Sequence, residues 1–181
     1  MIHRHPLLLL YRAFGGRRGV AAIEFTVVAP AIIAIFLGSF QLLDATTTLR
    51  KLTDTAVQLA NVTAQYTTMS HNDVNNVLSA AATIMAPCST TPMTIVLSEV
   101  QTDTNGNATV SWSQSYQGTP LATGSAIAMP QGFTTPNTSY IVVQTTYAYT
   151  PNVGASIIGS ISMAKEVVML PRASATIPFT G

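Results

Sequence analysis

Charged, thiol and imidazole side chains are all scarce in this chain of 181 residues. Asp, Glu, Lys and Arg together make up only 8% of it. The single cysteine, Cys88, excludes an intramolecular disulfide, and we expect a buried, inert thiol in preference to one that joins another chain. The three histidines, His3, His5 and His71, have no metal-ligand spacing with cysteine or carboxylates. We therefore expect neither a metal nor a cofactor.

The sequence also lacks the motifs of catalysis and of nucleic-acid binding. It contains no Gly-x-Ser-x-Gly elbow, no glycine-rich phosphate loop and no Cys-x-x-Cys pair. Serine and threonine are abundant, but no general base accompanies them. No basic patch is present either. We predict that the chain is not an enzyme and does not bind nucleic acid.

What the chain does contain is one long apolar run close to its N-terminus. Residues 25–43 carry no charge, and as a helix they would reach about 28 Å, close to the hydrocarbon thickness of a bilayer. Residues 1–18 contain four arginines and no acid, whereas the chain from residue 19 onward has a net charge of −3. Basic flanks stay in the cytoplasm. This predicts a single transmembrane helix at 20–43, with the N-terminus in the cytoplasm and residues 44–181 exported.

The first 19 residues are predicted to be a basic cytoplasmic leader. Their four consecutive leucines are too few for the core of a signal peptide. Within the span that follows, Pro30 lacks the N–H that would bond to the carbonyl of Thr26, which predicts a kink. Gly38 and Ser39 form a small-residue patch where another helix can approach closely.

The helix is expected to continue beyond the membrane, because residues 42–66 contain neither proline nor glycine. An apolar seam with spacings of three and four runs along this part. Its members are Leu42, Ala45, Leu49, Leu52, Ala56, Leu59, Thr63 and Tyr66. The seam fits equally a short coiled coil and a face packed on the chain's own domain.

The rest of the chain predicts a second helix followed by a sheet. Ser70 and Asp73 form a capping box, and Pro87 ends the helix that follows. Strands are predicted at residues 93–100, around 108–113, at 140–149 and at 165–170, with a hairpin turn at Asn105 and Gly106 and a loop at 117–137. The fold class is therefore α+β: a long N-terminal helix, a second helix and an antiparallel sheet of about four strands.

An aromatic group marks the predicted sheet. It comprises Trp112, Tyr116, Tyr140, Tyr147 and Tyr149. Such a group can form an adhesive or carbohydrate-binding face. Core and cross-strand packing is the interpretation that we favour.

Glu24 lies at the edge of the apolar run. An unpaired carboxylate in a membrane costs several kcal/mol, and such residues are usually functional. The simpler alternative is that the side chain reaches into the lipid headgroups. Glu24 lies five residues after Gly19, which directly follows the pair Arg17 and Arg18. This combination favours a functional role.

Residues 19–25, which read Gly-Val-Ala-Ala-Ile-Glu-Phe, resemble the site at which prepilin peptidases cut type IVb-like prepilins. The longer stretch up to Pro30, followed by the apolar run, is similar to the TadE-like pseudopilins of tight-adherence (Flp) pilus systems. The match covers roughly residues 17–60. Residues 169–172 (Met-Leu-Pro-Arg) are also similar, more loosely.

The resemblance implies a pilin-like fold and a minor pilin or pseudopilin that helps to assemble or prime a pilus. It also implies that the span lies in the bacterial inner membrane, with residues 44–181 in the periplasm. It implies cleavage between Gly19 and Val20, with Arg17 and Arg18 holding the cut site at the cytoplasmic face. It implies that Glu24, followed by Phe25, pairs with the N-terminus of a neighbouring subunit. The implied partners are the prepilin peptidase, other pilins or pseudopilins, the assembly platform and the lipid bilayer. The alternative is an uncleaved, single-span anchor that carries a periplasmic binding or adhesion domain.

Overall fold

The structure of the chain, a computed structural model, describes residues 17–180. The predicted leader lies outside these residues over positions 1–16. The chain divides into two units between Leu43 and Asp44. Within the described residues, the first unit holds the start of one long helix, and the second holds the remainder of that helix and all the other elements.

Helix α1 (Arg17–Thr63) is 47 residues long. In its first unit the large apolar side chains are exposed; Phe25, Ile35 and Phe36 are each 70% or 71% exposed. By length and composition this helix is able to cross a membrane, as the apolar run predicted. The helix continues through Pro30; a bend at that residue stays a prediction.

In the second unit one face of α1 packs on the chain's own domain. Leu52, Ala56 and Leu59 are at most 1% exposed and belong to the main hydrophobic core. Leu42 and Leu49, which the predicted seam includes, are exposed. Of the two interpretations of the seam, packing within the chain is therefore confirmed.

Helix α2 (His71–Met85) begins at the predicted capping box. The Ser70 hydroxyl accepts from the Asp73 N–H at 3.3 Å, and Asp73 Oδ2 accepts from the Ser70 N–H at 2.9 Å. The helix ends before Pro87, as expected. Lys51 of α1 donates to the carbonyls of Ile84 and Ala86, where the C-terminal end of α2 leaves carbonyls unpaired. The two helices are thereby joined at this end.

The main sheet has four antiparallel strands, β2 (Met93–Thr102), β3 (Ala108–Tyr116), β4 (Ser139–Tyr149) and β5 (Ile161–Met169). Their order across the sheet is β3-β2-β4-β5. A short helix α3 (Ala155–Ile158) precedes β5. The predicted α+β class and the four-stranded sheet are confirmed, although β5 begins four residues earlier than predicted.

The β2–β3 hairpin has a longer loop than the predicted two-residue turn. Five residues separate the strands, and only Gly106 of the predicted pair has a positive φ, 82°. The Asp103 carboxylate accepts from the N–H groups of Asn105 and Asn107 and from the Asn107 side chain, each at 2.8 Å. These bonds hold the pKa of Asp103 below its ordinary value. The Asp103 side chain, together with the backbone turn, therefore determines the conformation of this loop.

Because of a β-bulge, strand β3 contributes side chains to two separate hydrophobic cores. The register pairs Glu99 with Trp112 but Val100 with Val110, which leaves Ser111 unpaired. The alternation predicted for β3 therefore changes face: Trp112 joins the main core, whereas Val110 joins a smaller one with Val100. The main core lies between the helices and the sheet, and parts of the 117–138 loop cover the smaller core.

The C-terminal segment adds an element that the sequence did not suggest. Strand β6 (Phe179–Thr180) pairs in parallel with β1 (Met69–Ser70), directly before α2. The Arg172 N–H donates to the carbonyl of Ala64 at 2.7 Å. Residues 172–180 therefore run back to the start of the second helix.

Candidate functional site

The predicted cleavage site lies at the start of the described part of α1. The peptide bond between Gly19 and Val20 belongs to this helix, of which residues 17–63 are described. Glycine disfavours a helix by about 1 kcal/mol relative to alanine. Gly19 therefore lowers the cost of unwinding the helix at this bond.

The remaining predicted residues follow on an exposed surface. Val20 is 56% exposed and Phe25 71%, and Glu24 is exposed as well. Val20 and Glu24 are four residues apart, so they lie on one face of the helix. The side chains of Arg17 and Arg18 lie outside the described part of the chain. The structure thus places the motif on one continuous, accessible helix.

The hydroxyl groups of the span bond to its own backbone, and its small residues leave room for a neighbouring helix. The Thr26 hydroxyl donates to the carbonyl of Ala22 at 2.7 Å, and the Ser39 hydroxyl donates to that of Ile35 at 2.8 Å. Such bonds satisfy a hydroxyl without water. A Cβ atom at Gly38 would meet no atom within 4 Å. The Gly38 and Ser39 patch is therefore accessible to another helix.

The second unit carries a buried carboxylate that the sequence interpretation overlooked. Glu99 is 0% exposed. Its Oε1 accepts from the Ser139 hydroxyl at 2.6 Å and from the Ile177 N–H at 2.7 Å. Its Oε2 finds no hydrogen-bond partner within residues 17–180. A charged residue inside the apolar run at 93–100 was the available signal.

Trp112 also binds the C-terminal segment at Ile177, the residue whose N–H donates to Glu99. Trp112 Nε1 donates to the carbonyl of Ile177 at 2.7 Å, so both backbone groups of Ile177 are bonded to core side chains. The Trp112 and Phe179 rings lie 5.5 Å apart. Glu99 and Trp112 therefore fasten the tail to the sheet, which is a structural role.

A groove of about 450 Å³ opens in the second unit beside Asp44. The Tyr149 hydroxyl donates to Asp44 Oδ2 at 2.8 Å. Burial, followed by this hydrogen bond, raises the pKa of Tyr149 to about 12. Cys88 also lines the groove and is partly exposed, so the fully buried thiol that we expected is not what the structure has. The groove combines a carboxylate, a thiol and phenols.

The aromatic group is confirmed as packing and not as an exposed face. Trp112, Tyr140, Tyr147 and Tyr149 are each at most 7% exposed, and Tyr116 is partly buried. Three of the four buried rings belong to the main core, and Tyr140 packs against Phe133 with ring centres 5.8 Å apart. These aromatic side chains therefore do not form an exposed adhesive face.

Neither a search for metal ligands nor comparison with known proteins indicates a further site. Within residues 17–180, no group of three or more His, Cys, Asp or Glu side chains is placed to hold a metal ion. The class that the fold defines is an α+β domain behind an apolar helix able to span a membrane. Comparisons with protein-family models, with curated proteins and with solved structures gave no match.

Proposed function

We propose that the chain is a membrane-inserted pseudopilin or minor pilin of the TadE-like kind, which takes part in assembling or priming a tight-adherence pilus. One observation carries the proposal: the Gly-Val-Ala-Ala-Ile-Glu-Phe motif at residues 19–25 opens a long apolar helix that leads into an α+β domain. It would contribute to pilus assembly by packing its helix against the helices of other subunits. The chain would be the substrate of a prepilin peptidase and not a catalyst.

The position of the cut site supports processing. A protease must hold its substrate in an extended form, and Gly19 lowers the cost of unwinding α1 at the bond to Val20. Cleavage removes the basic leader and leaves an ammonium group on Val20. Glu24 then follows one helical turn later as a carboxylate.

The exposure of the first unit supports a role in assembly. The ammonium of one subunit and the Glu24 carboxylate of the next would attract strongly, because charges interact more strongly in a low-dielectric medium than in water. An unpaired charge there would be costly, so the pair would select one axial register between subunits. The accessible Gly38 and Ser39 patch permits close approach of the helices.

The decisive experiment is N-terminal sequencing of the protein from native membranes, with and without the prepilin peptidase. We expect Val20 as the first residue in the presence of the peptidase and Met1 in its absence. Gly19→Arg should retain the leader. Gly38→Ala is the matched control, because Gly38 lies in the same helix with open space around it, and it should be processed normally. An intact Met1 in the presence of the peptidase would exclude processing and support the uncleaved anchor.

Glu24→Ala tests the assembly role separately from processing. We expect normal insertion and cleavage but a loss of pili, because the mature N-terminus would lack its counter-charge. Asp54→Asn removes an exposed carboxylate from the same helix and should leave piliation unchanged. Normal piliation in the Glu24→Ala strain would remove the role that we assign to this residue.

A further inference from the structure

The free edge of the main sheet is strand β5. It pairs with β4 over nine residues without a shift in register. No strand among the described residues pairs with its other side. Its outward N–H and C=O groups are therefore open to another backbone.

The chain's own loop covers the first part of the opposite edge of the sheet. Along β3, the Val110 N–H donates to Ser125 and the Val110 carbonyl accepts from Gly124, at 3.0 and 2.7 Å. The Ile127 N–H donates to the carbonyl of Ala108 at 3.1 Å. The bulge at Ser111 further interrupts that edge. Among the described residues, the chain's own backbone thus covers part of the β3 edge and leaves the β5 edge uncovered.

The sequence of β5 leaves the strand regular and accessible. It contains no proline and no glycine, and its register has no bulge. On the face toward the main core, Met163, Val167 and Met169 are only partly buried. Ile161 is 42% exposed. An added strand would cover apolar surface as well as backbone groups.

Two adjacent charges indicate which kind of strand fits. Lys165 lies on the core face of the sheet, opposite Thr145 of β4, and Glu166 lies on the other face, where it accepts from Gln144 at 2.7 Å. Both charged side chains are exposed. A second copy that paired all nine residues about a two-fold axis would place Lys165 opposite Lys165. Like charges directly opposite each other are destabilising.

We propose that the β5 edge binds an extended segment of a different polypeptide by strand addition. The segment has apolar residues opposite Met163 and Val167, an acid opposite Lys165 and a base opposite Glu166. Main-chain hydrogen bonds supply affinity, and the two charges set the register. This site is independent of the pilus role, because it uses only the folded domain.

Two synthetic peptides test the proposal against the full chain in detergent micelles. The matched peptide, Val-Thr-Val-Lys-Glu-Thr-Val-Thr-Val, places its charges correctly when it lies antiparallel to β5. The second peptide exchanges the central lysine and glutamate. Fluorescence anisotropy should show binding of the matched peptide about five- to tenfold tighter, since each opposed pair contributes up to about 1 kcal/mol. Backbone amides of β5 should become protected from hydrogen exchange on binding.

Charge reversal at the edge makes the test specific. Lys165→Glu combined with Glu166→Lys should invert the preference between the peptides. The matched control, Arg50→Glu with Asp54→Lys, makes the same exchange on the exposed face of α1 and should preserve it. Absence of binding, or a preference that the edge variant does not invert, would overturn the proposal. Dimerisation of the chain alone with protection of β5 amides would overturn it in favour of a second copy.

Discussion

At the scale of single residues, Glu99 shows how one side chain ties distant parts of the second unit together. Its partners, Ser139 and Ile177, are 40 and 78 residues away in the chain. A buried carboxylate is costly unless it is hydrogen-bonded. The charge itself was visible within an apolar run, but its partners follow only from the fold.

Replacing Glu99 should therefore destabilise the domain by an amount that depends on the new side chain. Glu99→Ala leaves the Ile177 N–H and the Ser139 hydroxyl without their acceptor, and we expect a loss of about 2–5 kcal/mol in the free energy of unfolding. Glu99→Gln keeps one acceptor oxygen and should lose clearly less. Urea unfolding followed by the fluorescence of Trp112, the only tryptophan, measures both variants. Equal losses would show that the two hydrogen bonds contribute little.

Tyr149 gives the domain a dependence on alkaline pH. Burial and the bond to Asp44 raise its pKa from 10.0 to about 12 in the folded state. The folded chain therefore keeps this proton after the unfolded chain has lost it, so the stabilisation is complete below about pH 10 and is lost as the pH rises toward 12. Tyr149→Phe should flatten the decline in unfolding free energy across this window. Identical slopes in the variant and the parent chain would contradict the assignment.

At the scale of elements, local signals predicted most of the secondary structure. The capping box at Ser70, the proline after α2 and the alternation in the strands each act within a few residues, so the sequence displays them directly. The hairpin loop was predicted as too short because the Asp103 side chain replaces a tight turn. The bulge at Ser111 was not predicted, because it depends on the register with β2.

The N-terminal cap of α2 is the element feature with the clearest test. Ser70→Ala removes the acceptor of the Asp73 N–H, and we expect a loss of about 1 kcal/mol. Ser79→Ala is the control, because Ser79 lies exposed within the same helix, where alanine is a better helix former. The urea midpoint should therefore fall in Ser70→Ala, whereas in Ser79→Ala it should stay the same or rise slightly. Indistinguishable midpoints would show that the cap contributes nothing.

The cap also links α2 to acidic pH. Hydrogen bonds from the Ser70 side chain and backbone hold the pKa of Asp73 below its ordinary value. This contribution is present above the ordinary carboxyl range and is lost as the pH falls through the lowered pKa. In the Ser70→Ala chain, both the stabilisation and this part of the acid dependence should be reduced together.

At the scale of the whole molecule, what the sequence revealed depended on how far apart the interacting residues lie. The motif at 19–25 is contiguous, so its residues could be read without a structure, and the helix that carries it was predicted from composition alone. The order of the strands, the parallel β1–β6 pair and the open β5 edge arise from contacts between distant segments. No local pattern encodes them.

Ile177, in the C-terminal segment, completes the main core of the second unit. Its N–H bonds to Glu99, its carbonyl accepts from Trp112, and its side chain is 0% exposed in the main core. Ile177→Ala should cost about 2–5 kcal/mol in the free energy of unfolding and shift the Trp112 emission. Ile161→Ala makes the same truncation at a side chain that is 42% exposed, and it should cost far less. If the two variants unfolded at the same urea concentration, the tail would be an appendage and not the closure of the core.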